Sequence, residues 1–208
     1  MNINWPGLEE CLYELIRDDI KRFAETHKHE SFYGFALDCN SEYGNVLLCF
    51  NSPESLKQQA EKYASDRPNK AAFDKISQKL HEDSGGKIPL TENSSTVEAE
   101  ELKLRWSTGD WKYQGFNSTQ FDEGWDEYET EVMNACMDEE EDEETFKTPT
   151  QELFMKSICR VLLRLEKENV FDVINRTADF KCYVADHDED REESWGRLEM
   201  LRRESEVL

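Results

Sequence analysis

The fold is decided by residues 31–50, which read SFYGFALDCNSEYGNVLLCF. Two short runs rich in aromatic and aliphatic residues, 31–38 and 45–50, flank a turn-forming segment that contains Gly44. Such a pattern is typical of a β-hairpin. Because both runs are apolar on both faces, the two strands are predicted to lie in the interior of a sheet that helices cover on at least one side. Gly34 leaves room for a group that packs close to the strand backbone.

Helical patterns extend on both sides of this hairpin. Residues 8–26 place their apolar side chains on one stripe at helical spacing, which predicts a buried amphipathic helix. Ser52 and Pro53 are residue types that open a helix. Further helices are predicted at 70–81, 122–137 and about 148–169, and a terminal helix is predicted to start within 186–193. Strands are predicted at 102–106, where Leu102, Leu104 and Trp106 alternate with basic residues, and at 180–185.

The chain is predicted to form one α+β domain spanning residues 1–208. Its elements do not alternate regularly as βαβ units, so we expect a mainly antiparallel sheet of about four or more strands with helices packed on it. Two segments rich in polar, glycine or acidic residues, near 82–98 and 138–147, are predicted to be mobile.

The charge balance limits the partners that the chain can have. It carries 25 basic and 47 acidic residues, for a formal net charge of −22. A field of this sign repels nucleic-acid phosphates and anionic membrane surfaces, so neither is an expected partner. Two interpretations of the acidity remain, namely solubility or a salt-rich habitat, and attraction to a basic protein such as a toxin.

Other features of the sequence favour a cytoplasmic protein. The six cysteines form no Cys-x-x-Cys pair, and most lie in apolar runs, so they are predicted to be buried free thiols in a reducing compartment. The first residues carry the acids Glu9 and Glu10 rather than the basic start of a signal peptide. The chain contains no apolar run of the ~18 residues that a membrane span needs.

The most distinctive motif is RWSTGDWKY, residues 105–113. Tryptophan, tyrosine and arginine dominate the energetic centres of protein interfaces. The motif therefore predicts a partner-binding surface made by Arg105, Trp106, Trp111 and Tyr113. The alternative interpretation is that the same aromatic side chains pack in the core.

An unbroken acidic run provides further candidate contacts with a basic partner. Runs of like charge repel themselves and are usually solvated, so a mobile loop is the alternative interpretation. The run consists of Asp138, Glu139, Glu140, Glu141, Asp142, Glu143 and Glu144.

No motif in the sequence predicts a catalytic residue or a cofactor. It lacks a glycine-rich phosphate loop, a nucleophile elbow and a Cys/His pair at zinc spacing. Asp186, His187 and Asp188 follow a predicted strand, and these residue types bind divalent cations, so a metal site or a metal-dependent hydrolase is an alternative hypothesis. The other interpretation is that the acids near 186–190 cap the terminal helix.

The chain resembles a bacterial family known as domain-of-unknown-function family 4303. The resemblance is carried by a helix that leads into FYGFAL at 32–37, by RWS at 105–107 continuing to DWKY at 110–113, and by a late helix and strand that end at Asp186 and Asp188. Together these pieces cover most of the chain, although Gly109 stands where the family pattern has alanine. The resemblance implies a cytoplasmic bacterial protein and supplies no mechanism.

The combined features favour a protein-interaction module that binds a basic partner. Acidic single-domain families of this kind resemble immunity proteins that neutralise secreted toxins, so an immunity-type role is the leading hypothesis. The alternatives are a hydrolase or metal-dependent enzyme at Asp186 and Asp188, and a nucleic-acid mimic whose carboxylates imitate phosphates. The sequence predicts no particular oligomeric state.

Overall fold

The computed structural model describes residues 3–65, 78–84, 96–140, 142, 147–187 and 189–206. In these residues a single three-stranded sheet is surrounded by helices. Its strands are β1 (Phe32–Asn40), β2 (Asn45–Asn51) and β3 (Arg176–Asp186). The helices are α1 (Trp5–Thr26), α2 (Pro53–Ser65), α3 (Val97–Leu104), α4 (Thr119–Asp138), α5 (Pro149–Lys167) and α6 (Arg191–Glu206), with 3-10 turns at Thr108–Asp110 and Val170–Val173 and a helical stretch at 78–83.

The sheet confirms the α+β class but not the predicted strand arrangement. Its order is β2-β1-β3, and β1 pairs antiparallel with β2 and parallel with β3. The prediction of a mainly antiparallel sheet with four or more strands is therefore wrong for the described residues. β3 runs parallel to β1 because it follows the long helix α5, which packs against β3 and returns the chain to the starting end of the sheet.

The predicted strand at 102–106 is also wrong. Thr96 caps α3 by accepting a hydrogen bond from the backbone N–H of Ala99 at 3.2 Å, and two acids lie in the first turn. Leu104 is buried, whereas Leu102 is 73% exposed, so the alternating leucines do not face a common core. Because Thr96 caps a helix just before this segment, the residues up to Leu104 form α3 although their apolar and basic side chains alternate as in a strand.

Residues 113–117, which begin at the last residue of RWSTGDWKY, protect the outer edge of β2. The backbone of Tyr113 forms a bridge with Phe50, and the N–H of Phe116 donates to the carbonyl of Leu48. Asn117 continues this pairing with its side chain, which accepts from the N–H of Leu48 at 2.9 Å and donates to the carbonyl of Val46 at 2.8 Å. A short bridge and one amide side chain therefore take the place of a fourth strand.

The two faces of the sheet carry different aromatic clusters. On one face, Phe23 of α1 packs against the rings of Phe32, Phe50, Tyr113 and Phe116. On the other face, Tyr33 of β1 and Tyr183 of β3 contact the indoles of Trp106 and Trp111. The interior position predicted for the first hairpin strand is confirmed, since β1 is central and Phe32 to Leu37 are all buried. The same prediction is wrong for β2, which is an edge strand of the sheet.

The limited space above the strand backbone at position 34 requires a glycine. A Cβ atom at this position would lie 2.9 Å from Cη2 of Trp111 and 3.2 Å from Cζ3 of Trp106. Both contacts are tighter than van der Waals packing allows, and the rings are held among other aromatic side chains. The glycine thus lets two indoles lie directly on the strand backbone.

We expect Gly34→Ala to lower the free energy of unfolding by about 1–3 kcal/mol, because an added methyl group overpacks the site. Gly109→Ala is the matched control, since its Cβ would meet nothing within 4 Å. That variant should stay within about 0.5 kcal/mol of the parent. Urea unfolding measures both values, and equal midpoints for the two variants would show that Gly34 is not sterically constrained.

Candidate functional site

A polar cavity of about 300 Å³ lies beside the ends of β1 and β3. It is formed by three parts of the chain that are distant in sequence: Asp38 of β1, the segment 106–109 with Gln114, and the end of β3 leading into α6. Its lining residues are Asp38, Trp106, Ser107, Thr108, Gly109, Gln114, Tyr183, Ala185, Asp186, His187, Glu189, Arg191 and Ser194. Trp106 of the distinctive motif and the Asp186–His187 pair, which the sequence suggested as two separate sites, line the same cavity.

Asp38 is the unusual group in this cavity. It is a carboxylate in a strand whose preceding residues are all buried, and it forms no salt bridge with a described residue. Burial raises the pKa of the Asp38 carboxyl above its usual value, and a hydrogen bond from Thr108 and the nearby His187 offset part of that effect. The folded chain therefore holds a partly desolvated carboxyl group at the cavity wall.

The backbone of the motif is fixed over the sheet by side-chain donors. The carbonyl of Arg105 accepts from the Tyr33 hydroxyl at 2.7 Å and from Nε1 of Trp111 at 3.1 Å. The carbonyl of Trp106 accepts from the Tyr183 hydroxyl at 3.0 Å. These bonds satisfy buried polar groups and position the wall of the cavity next to β3.

The four motif residues predicted to bind a partner have different environments. Trp111 is 4% exposed and packs in the core. Trp106 and Tyr113 are half-buried, and the hydroxyl of Tyr113 donates to Glu30. The guanidinium of Arg105 lies over the ring of Tyr33 at 4.5 Å and pairs with Asp179. Of this set, Arg105, Trp106 and Tyr113 keep partly accessible surface, whereas Trp111 is covered.

Asp186 is engaged by protein groups. Its Oδ1 accepts from the backbone N–H groups of Ser41 and His187, both at 3.0 Å, and its Oδ2 accepts from the Ser41 hydroxyl at 2.7 Å. Nζ of Lys147 lies 3.5 Å from Oδ2. The carboxylate thus ties the end of β3 to the turn between β1 and β2.

The residues around Asp186 complete a buried ionic network. Glu189 pairs with both Lys147 and Arg197. Asp190 caps α6, because its Oδ1 accepts from the backbone N–H groups of Glu192 at 2.8 Å and Glu193 at 3.0 Å. Within the described residues, which exclude Asp188, no group of three or more His, Cys, Asp or Glu side chains is arranged to hold a metal ion.

A second surface stands out by its charge. Between Lys112 and Lys147 the sequence has thirteen acidic residues and no basic residue. Five of these acids are exposed on α4, and four of them occupy two successive turns: Asp122, Glu123, Asp126 and Glu127. We call these four residues the acidic face. None of them forms a salt bridge with a described residue, whereas Glu9 and Glu10 of α1 pair with Arg160 and Arg164.

The predicted acidic contacts at 138–144 are only partly described. Asp138 ends α4 and is exposed, as are Glu140 and Asp142. The Glu139 carboxylate accepts from the backbone N–H and the hydroxyl of Thr150, both at 2.8 Å, and so supports the start of α5. The remaining three acids, Glu141, Glu143 and Glu144, lie outside the described residues. The same holds for residues 85–95 and 143–146, which belong to the two segments predicted to be mobile.

A family model described as domain of unknown function (DUF4303) matches residues 12–205. The chain belongs to that family. The match includes both surfaces, since Asp38, the 105–113 motif, α4 and the end of β3 all lie within it. A search of curated proteins and a search of solved structures found no significant match.

Other findings in this DUF4303 chain bear on the remaining predictions. All six cysteines are free; four of them are buried as predicted, whereas Cys11 and Cys182 are only partly buried. Burial raises the pKa of the Cys49 thiol to about 12, which keeps it protonated and unreactive near neutral pH. No helix among the described residues is long and apolar enough to cross a bilayer.

Proposed function

We propose that this DUF4303 protein is an interaction module of the bacterial cytoplasm that binds a basic protein through the acidic face of α4. The observation that carries the proposal is the set of four exposed carboxylates on two turns of α4 that form no salt bridge with a described residue. Glu9 and Glu10 of α1, in contrast, pair with Arg160 and Arg164 of α5. An unbalanced anionic helix attracts a cationic surface and accelerates association with it.

Only some residues of the 105–113 motif have a role in this proposal. Arg105, Trp106 and Tyr113 retain partly accessible surface, and they are side-chain types that supply short-range contacts at protein interfaces. Trp111 supports the fold beneath Arg105, because it is buried and donates its indole N–H to the Arg105 carbonyl. An immunity-type role is the specific form of the proposal, in which the basic partner is a toxin whose activity the bound chain suppresses.

The test is a salt-dependent pull-down with a quadruple variant, Asp122→Asn, Glu123→Gln, Asp126→Asn and Glu127→Gln. We expect the parent chain to retain basic proteins at about 0.05 M salt and to release them at about 0.5 M, where screening is strong. The quadruple variant should lose most of this retention at low salt. Mass spectrometry of the retained proteins gives their isoelectric points.

The control variant removes four exposed acids outside α4: Glu25→Gln, Glu61→Gln, Asp83→Asn and Glu204→Gln. It has the same net charge as the test variant and should retain the same partners as the parent. Equal losses in both variants would mean that only total charge matters, and the acidic face would then have no specific role. Retention of neutral or acidic proteins that salt does not affect would also contradict the proposal.

A nucleic-acid mimic is the second candidate, because the acids of the acidic face repeat at a four-residue spacing, about 6 Å along the helix axis. A mimic would compete with double-stranded DNA for one basic partner, so added DNA should displace the chain from that partner.

The hydrolase alternative receives less support, since the Asp186 carboxylate is occupied by Ser41, His187 and Lys147.

A further inference from the structure

The cavity beside Asp38 has two charged groups of opposite sign, Asp38 and Arg191, that lack a salt bridge within the described part of the chain. Asp186 and Glu189 also line it, but Lys147 and Arg197 pair with them. Asp38 and Arg191 form no salt bridge with any described residue, and they do not pair with each other.

The rest of the wall suits the body of a small organic molecule. Trp106 and Tyr183 contribute aromatic surface, and the hydroxyl of Thr108 and the amide of Gln114 hydrogen-bond to Asp38. Aromatic surface combined with a few converging polar groups is typical of small-molecule sites, and the volume of about 300 Å³ lies at the lower end of their range. A ring face beside a carboxylate also favours a cationic nitrogen.

We propose that this cavity binds a small zwitterion of the amino-acid class. The cationic nitrogen of the ligand contacts Asp38, its carboxylate contacts Arg191, and its carbon skeleton lies against Trp106 and Tyr183. A purely cationic ligand would leave Arg191 unpaired and close to a like charge, and a purely anionic ligand would do the same at Asp38. A molecule with both charges satisfies both groups. This inference is independent of the acidic face of α4.

The first experiment screens the parent chain by thermal shift at pH 7. The probes are the twenty common L-amino acids together with β-alanine, γ-aminobutyrate and 6-aminohexanoate, which separate the two charges by increasing lengths. We expect at least one probe to raise the melting temperature in a concentration-dependent way, because a ligand that binds only the folded state stabilises it. A screen in which no probe raises it at millimolar concentration overturns the proposal.

The second experiment assigns the two charges by calorimetry. The best probe is compared with its decarboxylated amine and its deaminated acid, which share its carbon skeleton. Asp38→Asn should weaken binding of the probe and of the amine by about tenfold or more, as expected for the loss of a hydrogen bond to a charged group. Arg191→Gln should weaken binding of the probe and of the acid to a similar degree.

The control is Asp172→Asn, which removes an exposed acid from the 3-10 turn before β3 and changes the net charge equally. It should leave every affinity unchanged. Asp38→Asn is expected to fold, because burial already disfavours the charged form of Asp38, so that its melting temperature should equal or exceed that of the parent. Unchanged affinity in a folded Asp38→Asn variant, or binding of the amine as tight as that of the zwitterion, would overturn the proposal.

Discussion

Trp111→Ala is expected to lower the free energy of unfolding by about 3–5 kcal/mol, the range found when a buried aromatic side chain is truncated. Trp111 is 4% exposed and contacts Tyr33, Trp106 and Tyr183. Its removal also leaves the Arg105 carbonyl with one hydrogen bond fewer and opens a void over Gly34. Urea unfolding at pH 7 measures the change.

This experiment separates the two interpretations of the aromatic motif. If Trp111 were mainly a partner anchor, its truncation would reduce binding and leave stability nearly unchanged. Leu102→Ala is a suitable control, because Leu102 is 73% exposed on the neighbouring α3. It should change stability by no more than about 0.5 kcal/mol. A similarly small effect for Trp111→Ala would contradict the packing described above.

A double-mutant cycle refines this result. Gly34→Ala is unfavourable because of the indole of Trp111, 2.9 Å from the added Cβ. In a Trp111→Leu background the same glycine substitution should therefore cost less. A coupling free energy of at least about 0.5 kcal/mol is expected for residues in direct contact. Additive effects would indicate that the strain at Gly34 comes from another neighbour.

Asp186→Ala is expected to lower the free energy of unfolding by about 3–5 kcal/mol, because it removes one member of a buried charge pair. The carboxylate is buried, and its loss leaves the backbone N–H and hydroxyl of Ser41 without their acceptor and Lys147 with one anion fewer. Asp172→Ala provides the contrast. Asp172 pairs with Arg176 on the surface, where such a pair contributes only about 0.2–1 kcal/mol.

The same variant tests the metal hypothesis for Asp186 and His187. If the Asp186 carboxylate has a purely structural role, a chelator should leave the melting temperature of the parent chain unchanged. Asp186→Ala should then be destabilised both with and without the chelator. If the chelator destabilises the parent chain and has no effect on Asp186→Ala, the carboxylate holds an ion, and the hydrogen-bonding role assigned to it here is secondary.

Much of the fold follows from local patterns in the sequence. The hairpin at 31–38 and 45–50 forms as β1 and β2, and the predicted helices at 8–26 and 148–169 correspond to α1 and α5 within three residues at each end. These elements are long or strongly periodic, and local residue types set their ends. The predicted helix at 70–81 is described only from residue 78 onward.

The errors arise where local patterns do not carry the information. The direction of β3 depends on the end of the sheet at which α5 terminates. No residue within β3 encodes that position. The leucines of 102–106 fit a strand, but Thr96 starts a helix before them. The cavity joins Asp38 to residues about seventy and one hundred and fifty positions later. The sequence singled out Trp106 and the Asp186–His187 pair separately, but only the acid that ends the apolar run FYGFALD marks the contribution of Asp38.

The shielding of β2 by Asn117 and Tyr113 limits how this protein can meet other extended chains. An unpaired strand edge is a template on which a peptide, or a second molecule in the course of aggregation, adds a further strand. On β2 that template is already occupied at Val46, Leu48 and Phe50. Recognition by strand addition is consequently closed on this side of the sheet, and binding there has to proceed through side chains and shape.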